Sequence, residues 1–264
     1  MQQTLITDSC LRTLGLDRAE PDLVLLSEIT SRYVARFPFS SVGAQLEDDL
    51  PLDAPSLHER IVARERGGYC FEHNGLLFAI LGDLGYDVRL RLARVVHNRD
   101  VHPGLTHRIT EVTIDGDDFV VDVGFGPLGP QLPVPLSGEV SGTASRPFRV
   151  VEPRPGEFHL QCVVEGDFYS LYRFERAQYG QSDCEVGHFY SHRHPDAVFV
   201  NNLVASRIIG DEVRSLRNGT YLVTRSGTSD ETTISDAESL RALLSHEFGI
   251  AVTDAESRTL FDRL

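Results

Sequence analysis

The sequence predicts an α+β protein, and three observations along the chain support this prediction. Apolar residues recur with a helical spacing over roughly the first third, and the spacing changes to strand-type alternation beyond Gly85. The last part mixes short strands with an amphipathic helix. Because helices come first, then antiparallel strands, then strands with a helix, the order argues against a βαβ series and for three sub-domains. The 264 residues, 41% of them hydrophobic, are enough for a substantial core.

The N-terminal part is predicted to form helices over residues 20–37, 54–65 and 70–86. Pro21 stands near the start of the first helix, where its missing N–H costs nothing, and Pro38 ends that helix. Ser56 is the expected N-cap of the second helix. Gly85 is expected to stop the third, since glycine commonly closes a helix in the left-handed conformation.

The middle part is predicted to be a set of antiparallel strands. Residues 87–96 alternate apolar and charged side chains, and residues 107–126 predict a hairpin around the favoured turn pair Asp115-Gly116. Further strands are predicted at 148–153, 158–166 and 168–176. The intervening segment 126–147 is rich in proline and glycine and is predicted to be a surface connection.

The C-terminal part is predicted to contain short strands over 199–210, 212–227 and 231–234. Asn218-Gly219 is the expected turn within the second of these segments. Residues 235–250 then predict an amphipathic helix that ends at Gly249, with Ser235 and Glu238 as a capping box at its start.

The charge of the chain limits its partners. Its formal net charge is −14, so its summed field repels nucleic acid and anionic membranes, although a local basic pocket for one anionic cofactor is allowed. The sequence has no apolar run of about 18 residues that could span a membrane. Its start lacks the pattern of a secretory signal, and we therefore expect a cytoplasmic protein.

The cysteines Cys10, Cys70, Cys162 and Cys184 are too few and too scattered for a disulfide framework or a zinc site. We expect free thiols, three of which act as small buried hydrophobic residues. The histidines in the segment 188–194 lack an accompanying metal-ligand signature, so no metal is predicted.

Cys70 is the exception among the thiols. It follows Gly67 and Gly68, which permit a tight turn, and it falls in the first turn of the third predicted helix. The free N–H groups and the dipole at a helix start stabilise a thiolate, and they can also hold an oxyanion when the sulfur attacks a carbonyl. Arg64 and Arg66 add positive potential nearby. A buried structural thiol at a helix entry is the alternative.

His107 and Asp122 are the candidate partners of this thiol. If Asp115-Gly116 is a two-residue turn, Ile114 faces Asp117, and Asp122 becomes the diagonal neighbour of His107 on the same face of the hairpin. Asp122 lies in an apolar run, where a carboxylate is costly to bury without a partner. The three residues would form the Cys–His–Asp arrangement of papain-like nucleophilic enzymes. Taken singly, His107 could be a surface residue and Asp122 an acid bonded to backbone N–H groups.

Three blocks of the sequence together resemble the arylamine N-acetyltransferase family. These are the block from Arg66 to Cys70, the pair Thr106-His107, and the block from Asp122 to Gly126. The resemblance implies a helical bundle, an antiparallel β-barrel and an α/β lid, which we place at 1–86, 87–190 and 191–264. It also implies a ping-pong reaction, in which Cys70 takes the acetyl group of acetyl-CoA and an arylamine, arylhydroxylamine or hydrazine then receives it.

The resemblance also implies roles for residues around the triad. The substrate-binding candidates are Phe39, Phe125, Tyr69 and Arg66, and the candidates for binding acetyl-CoA are Gly124, Gly126 and Thr106. Phe39 and Phe125 could equally be core aromatic residues.

Departures from the family pattern leave other functions open. The segment 38–43 and Pro127 differ from what many relatives have. An amide synthase of the same family would close a macrolactam on a polyketide arylamine and would need a carrier protein. A thiol hydrolase or transglutaminase-like enzyme would use the same triad, and a non-catalytic binding protein could retain the fold.

Overall fold

The computed structural model describes residues 2–225 and 227–264. The helices are α1 (Gln2–Leu14), α2 (Leu23–Arg36), α3 (Val42–Gln45), α4 (Ala54–His58), α5 (Cys70–Asp83), α6 (Gln181–Arg193), α7 (Val198–Asn201), α8 (Ala237–Leu243) and α9 (Asp254–Phe261). The π-helical turns Glu59–Ala63 and Leu244–Phe248 continue α4 and α8. The strands are β1 (Phe39–Ser40), β2 (Asp87–Val95), β3 (His107–Ile114), β4 (Asp117–Val121), β5 (Val134–Pro135), β6 (Ser141–Thr143), β7 (Arg146–Arg154), β8 (Glu157–Val164), β9 (Asp167–Glu175), β10 (Val204–Ile209), β11 (Glu212–Arg217), β12 (Thr220–Arg225) and β13 (Thr228–Thr233).

The N-terminal helices pack around a shared apolar core. The three predicted helices are present as α2, as α4 with its π-helical turn, and as α5, and Gly85 lies just beyond α5 with φ +95°. Helix α1 was not predicted, because polar residues interrupt its apolar spacing. It nevertheless buries Cys10 and Leu11 against the other helices.

Two predicted helix N-caps are wrong, by three residues at α4 and by one residue at α8. Asp53, not Ser56, caps α4, because its carboxylate accepts a hydrogen bond from the backbone N–H of Ser56 at 3.0 Å. Asp236, not Ser235, caps α8, where its carboxylate accepts from the N–H of Ser239 at 2.7 Å. In both places an aspartate and a serine stand close together, and both residue types are favoured N-caps.

The middle of the chain forms an eight-stranded antiparallel sheet with the order β5-β4-β3-β2-β9-β8-β7-β6. Strand β5 also packs against β6 and β7, so the sheet is a nearly closed barrel around buried side chains such as Leu160 and Leu171. The predicted hairpin has the predicted register, with Ile114 opposite Asp117. Asp115 and Gly116 both have positive φ, which is the conformation of the expected two-residue turn.

The segment 126–147 contains more structure than predicted. It supplies the short strands β5 and β6, and Val134 is fully buried in the barrel core. Helices α6 and α9 were also not predicted. Helix α6 carries few apolar residues, and α9 has only a narrow buried stripe, so neither gives a strong periodic signal.

The C-terminal part forms a five-stranded antiparallel sheet in the order β1-β10-β11-β12-β13. Helices α8 and α9 cover this sheet over a core that includes Leu240, Phe248 and Leu260. Strand β1 comes from the N-terminal part, where Phe39 pairs with Ser206 of β10. The α+β prediction, with helices, a barrel and a C-terminal sheet-and-helix unit, is therefore confirmed.

The division into 1–86, 87–190 and 191–264 stays a prediction, and its second boundary falls inside α6. In the described part of the chain, none of the helices combines the length and apolar character needed to cross a membrane.

Candidate active site

Cys70 is the first residue of α5, and the chain before it turns tightly. Gly67 has φ +66°, and a side chain there would place its Cβ 2.5 Å from the carbonyl oxygen of Pro38. Tyr69 is the N-cap, and its backbone N–H donates to the carboxylate of Glu72 at 3.1 Å. Cys70 therefore lies in the first turn of α5, where backbone N–H groups lack helical partners.

A buried ion pair supports this helix start, and the sequence reasoning missed it. Arg60 donates to the carboxylate of Glu72, which is 2% exposed. Burial raises the pKa of Glu72, and Arg60 opposes that rise. The capping-box pattern S/T/D-x-x-E cannot be recognised in this part of the sequence, because a tyrosine occupies the N-cap position.

His107 and Asp122 are in direct contact. The Nε2 atom of His107 lies 2.7 Å from Oδ2 of Asp122, and both side chains are buried. The regular ladder of the hairpin ends at Thr110 and Val121, so Asp122 lies one residue beyond β4. Continuing this register beyond the ladder places Asp122 diagonal to His107, and the two side chains are in contact there.

The other oxygen of Asp122 is also satisfied. Oδ1 accepts hydrogen bonds from Nδ2 of Asn74 at 2.8 Å and from the backbone N–H of Gly124 at 2.9 Å. Burial alone would raise the pKa of Asp122, but His107, Asn74 and Gly124 together lower it. The carboxylate is therefore ionised, and Nε2 of His107 must carry the proton between the two residues.

This bond fixes the orientation of the imidazole, because Nε2 is bound to Asp122 and Nδ1 is left for the thiol. Burial alone would lower the pKa of His107, but Asp122 and the sulfur of Cys70 outweigh it and raise the pKa to about 10. The sulfur also lies 3.6 Å from the carbonyl oxygen of Thr106, to which a thiol can donate. Cys70, His107 and Asp122 are thus brought together as predicted.

Gly124 allows the second hairpin strand to approach the helix start. A Cβ at this position would lie 2.7 Å from Cα of Cys70 and 3.0 Å from Nδ2 of Asn74. Real side chains do not tolerate such distances, so only glycine lets the aspartate and the cysteine sit this close. Gly124 therefore shapes the site through its backbone.

Cys70 and His107 open onto a cleft of about 500 Å³, which we call the cysteine cleft. Its aromatic wall is formed by Phe39, Phe125, Tyr190 and Phe199. The ring of Phe125 stands edge-on to His107, with 5.2 Å between their centroids. Thr106 and Gly124 also line the cleft. Phe199 and Tyr190 were not predicted, because α6 and α7 were not recognised.

Two predicted substrate-binding residues lie elsewhere. Arg66 does not line the cysteine cleft, because its guanidinium pairs with Glu256 of α9 and donates to the carbonyl of Ala251 at 2.6 Å. Tyr69 is 1% exposed, and its hydroxyl lies 2.6 Å from Nδ1 of His188. Both residues stabilise the packing around α5 from outside the cleft.

Gly126, a predicted acetyl-CoA residue, is next to the cleft without lining it. Its φ is +88°, and a Cβ there would be 3.6 Å from the ring of Phe39. Its role in the structure is to allow the turn after Phe125.

Asn74 is the main site residue that sequence reasoning missed. Its Nδ2 donates to Asp122 and to the carbonyl of Arg108, and its Oδ1 accepts from the N–H of Val123. Its spacing could have identified it, because a residue four positions after Cys70 lies on the same face of the helix.

All four thiols are buried, and Cys10, Cys162 and Cys184, unlike Cys70, do not line the cysteine cleft. Burial raises the pKa of Cys10 to about 12 and that of Cys184 to about 11, and it also raises the pKa of Cys162. Over residues 2–225 and 227–264, no group of three or more histidine, cysteine or acidic side chains is arranged to hold a metal ion.

Comparison with known proteins bears on this arrangement. The sequence profile of the N-acetyltransferase family matches residues 22–257. The arylamine N-acetyltransferase of Mycobacterium tuberculosis is 35% identical over 90% of this chain and 87% of its own length. The chain belongs to the arylamine N-acetyltransferase family. Its fold is also that of the family: the structure of Mycobacterium marinum arylamine N-acetyltransferase in complex with CoA superposes with a TM-score of 0.91, at 30% identity, covering 97% of this chain and 98% of that one.

A further member of the arylamine N-acetyltransferase family carries two activities in its name. The Salmonella typhimurium protein, arylamine N-acetyltransferase / N-hydroxyarylamine O-acetyltransferase, is 29% identical over 89% of this chain and 85% of its own length.

Proposed function

We propose that the protein transfers an acetyl group from acetyl-CoA to an arylamine, arylhydroxylamine or hydrazine through a thioester on Cys70. The observation that carries this proposal is the contact between His107 and Asp122 beside a cysteine that opens onto an aromatic cleft. Membership of the arylamine N-acetyltransferase family supports the choice of donor and acceptor. A relative bound to CoA supports the donor further.

In the first half of the reaction, the sulfur of Cys70 attacks the carbonyl carbon of the acetyl thioester. The imidazolium of His107, held by Asp122, stabilises the attacking thiolate as an ion pair. N–H groups at the start of α5 hold the oxyanion as charge develops on the carbonyl oxygen. The carbon–sulfur bond to CoA then breaks, and CoA leaves as the thiol with the proton of His107.

In the second half, the neutral His107 accepts a proton from the amine acceptor as its nitrogen attacks the acetyl-Cys70 carbonyl. The bond from the carbonyl carbon to Sγ breaks, and Cys70 leaves as a thiolate. The proton kept on His107 restores the ion pair, so the enzyme returns to its starting state with no net gain or loss of protons. Asp122 stays ionised throughout and keeps Nδ1 directed at the reacting atoms.

The size and walls of the cysteine cleft support a small aromatic acceptor. A cleft of about 500 Å³ has ample room for a small aromatic acceptor beside the acetyl group, and Phe39, Phe125 and Phe199 offer ring faces and edges for it. A macrolactam-forming amide synthase would need space for a long polyketide chain. The cleft volume therefore favours the acetyltransferase over the amide synthase.

The test is to incubate the enzyme with acetyl-CoA alone and to analyse peptides by mass spectrometry. We expect one acetyl group on Cys70, which disappears when an arylamine such as aniline is added and reappears as the acetylated amine. Cys70→Ser should form no thioester, whereas Cys162→Ser should behave as the wild type, because Cys162 lies in the barrel core.

The same experiment separates the remaining alternatives. If the adduct is lost to water at a rate that the arylamine does not change, the protein is a thiol hydrolase. If CoA is never released and no adduct forms, the acetyltransferase proposal is wrong.

A further inference from the structure

A second cleft of about 960 Å³ lies beside the catalytic helix and does not contain Cys70. It is bounded by α5, by α6 and by the segment 49–54. Both clefts use α6 as a wall, but they use different residues of it: Tyr190 and Ser191 face the cysteine cleft, and His188 and Phe189 face the second one. We call the second one the arginine cleft, because Arg108 lines it.

Arg108 is a buried cation without an anionic partner. It is 3% exposed, and its Nε atom is buried without a hydrogen-bond acceptor. Within residues 2–225 and 227–264, its guanidinium makes neither an ion pair nor a side-chain hydrogen bond that meets normal geometry. Burial of such a charge is costly unless something pairs with it. In contrast, the buried Arg91 is paired with Glu111 at 3.0 Å.

The surroundings of Arg108 make room for the guanidinium and give it an aromatic contact. A Cβ at Gly75 would lie 3.2 Å from Nη1 of Arg108, so the absence of a side chain at Gly75 makes room for the guanidinium. The guanidinium carbon lies 5.3 Å from the ring centroid of Phe78. The ring offers a cation–π contact but accepts no directed hydrogen bond from the edge of the guanidinium.

The rest of the arginine cleft limits what could pair with Arg108. Leu50, Leu52 and Phe189 give it apolar walls, whereas Asp49 and Glu185 add negative charge to its lining. Burial lowers the pKa of His188 to about 3, so this histidine adds no positive charge at neutral pH. Arg193 also lines the cleft, where it donates to the backbone carbonyls of Glu47 and Asp48. A polyphosphate would therefore meet two arginines against three acids, Asp49, Asp53 and Glu185, which disfavours it. A monoanion with an apolar body fits better.

We propose that the arginine cleft binds an organic monocarboxylate with an aromatic or aliphatic body, whose carboxylate pairs with Arg108. The planar guanidinium matches a carboxylate with two parallel hydrogen bonds. This inference does not rest on the acetyl-transfer reaction, because the arginine cleft contains none of the three triad residues.

The site would be coupled to the triad through one amide side chain. The carbonyl oxygen of Arg108 accepts from Nδ2 of Asn74 at 2.6 Å, and the same Nδ2 donates to Asp122. A ligand that repositions Arg108 therefore acts on the residue that holds the catalytic carboxylate. Asn74 would be the positioning residue between the two clefts.

The first test compares benzoate with its neutral analogue benzamide by calorimetric titration of the full chain. Cys70 is first alkylated with iodoacetamide to cap its thiol, and the same titration of Arg108→Gln distinguishes binding in the arginine cleft from binding in the cysteine cleft. We expect benzoate to bind at least about tenfold more tightly than benzamide, and Arg108→Gln to remove that preference. Equal binding of the two probes, or an unchanged preference in Arg108→Gln, would overturn the proposal.

A second test does not depend on the folding of Arg108→Gln. Phe189 is 66% exposed, so Phe189→Lys and Phe189→Asp change the charge at the cleft without disturbing the core. The lysine variant should bind benzoate more tightly than the aspartate variant by several-fold at low salt. A crystal soaked with 4-bromobenzoate should show bromine in the arginine cleft. Bromine only in the cysteine cleft, or identical affinities of the two variants, would contradict the proposed site.

Discussion

Asp122 has more structural partners than any other member of the proposed triad. It accepts from His107, Asn74 and Gly124, and this arrangement leaves one imidazole nitrogen for the thiol. The carboxylate also keeps His107 protonated at neutral pH, since the pKa of that histidine is raised to about 10. The charge of Asp122 is therefore as important as its position.

Asp122→Asn tests this charge. The amide keeps the size of the side chain but removes the negative charge, so His107 loses its preference for the protonated state. We expect both alkylation of Cys70 by iodoacetamide at pH 7 and acetyl-CoA-dependent release of CoA to slow by at least about 100-fold. Asp118→Asn is the matched control on the same hairpin, where Asp118 pairs with Arg176 at 2.6 Å, and it should stay within about twofold of the wild type.

Gly124 gives a second prediction at the scale of one residue. Gly124→Ala forces a methyl group against the backbone of Cys70, 2.7 Å from its Cα, so the hairpin or the helix must shift. We expect a loss of about 1–3 kcal/mol in the free energy of unfolding, measured by urea denaturation. At Gly104 the corresponding contact is an ordinary 3.5 Å, and Gly104→Ala should change stability by less than about 0.5 kcal/mol. Equal losses of unfolding free energy in the two variants would contradict a close contact between Gly124 and the backbone of Cys70.

Among the secondary-structure elements, α9 is tied to the loop before α5 by Arg66 and Glu256. This pair joins the C-terminal unit to the segment that carries Cys70. The hydrogen bond from Arg66 is the largest influence on Glu256, and together with Thr253 it lowers the pKa of that carboxyl to about 2. Arg66, which the sequence analysis proposed as substrate-binding, thus connects the loop before α5 to α9.

Because the pKa of Glu256 is lower in the folded chain than in the unfolded chain, its contribution to stability is present above about pH 4.5 and is lost as the pH falls towards 2. Glu256→Gln should therefore lose up to about 3 kcal/mol at pH 7 and show a flatter decline of stability between pH 4.5 and 2. Urea unfolding of both proteins at several pH values measures this. Parallel pH curves would show that the pair does not contribute.

The sequence predicted the elements whose signals are local. Helix α5, the turn at Asp115-Gly116 and the strands of the barrel follow from periodicity and turn residues, and these were enough to place His107 beside Asp122. The role of Arg66 could not be predicted in the same way. Whether its side chain enters the cleft or turns to α9 depends on a partner 190 positions further along the chain. Helix α6, which separates the two clefts, lacks the apolar stripe that would reveal it.

At the scale of the whole molecule, three clusters of buried hydrophobic residues meet around the cysteine cleft. The cleft takes residues from the N-terminal part, from the barrel and from the C-terminal sheet, for example Phe39, Phe125 and Leu216. Protonation of a residue at this junction therefore affects the stability of the entire fold.

His107 provides the corresponding prediction. Its pKa is raised on folding, so the stability it contributes is fully present below about pH 6.5 and is lost as the pH rises to about 10. The wild type should lose stability across this interval, and His107→Gln should lose less over the same interval, as measured by thermal or urea unfolding. Glu256→Gln should retain the slope of the wild type here, because its own titration lies at acidic pH. A wild-type stability that is flat from pH 6.5 to 10 would contradict the prediction.

All four thiols are buried, but Cys70 lines the cysteine cleft, whereas the other three do not and have pKa values raised by burial. This difference makes the chain convenient for spectroscopy. A maleimide dye or a nitroxide spin label added in small excess near neutral pH should attach at a single position, without prior removal of the other three thiols. That position lies where helices, barrel and C-terminal sheet converge, so the emission or line shape of the probe would report the relative movement of all three.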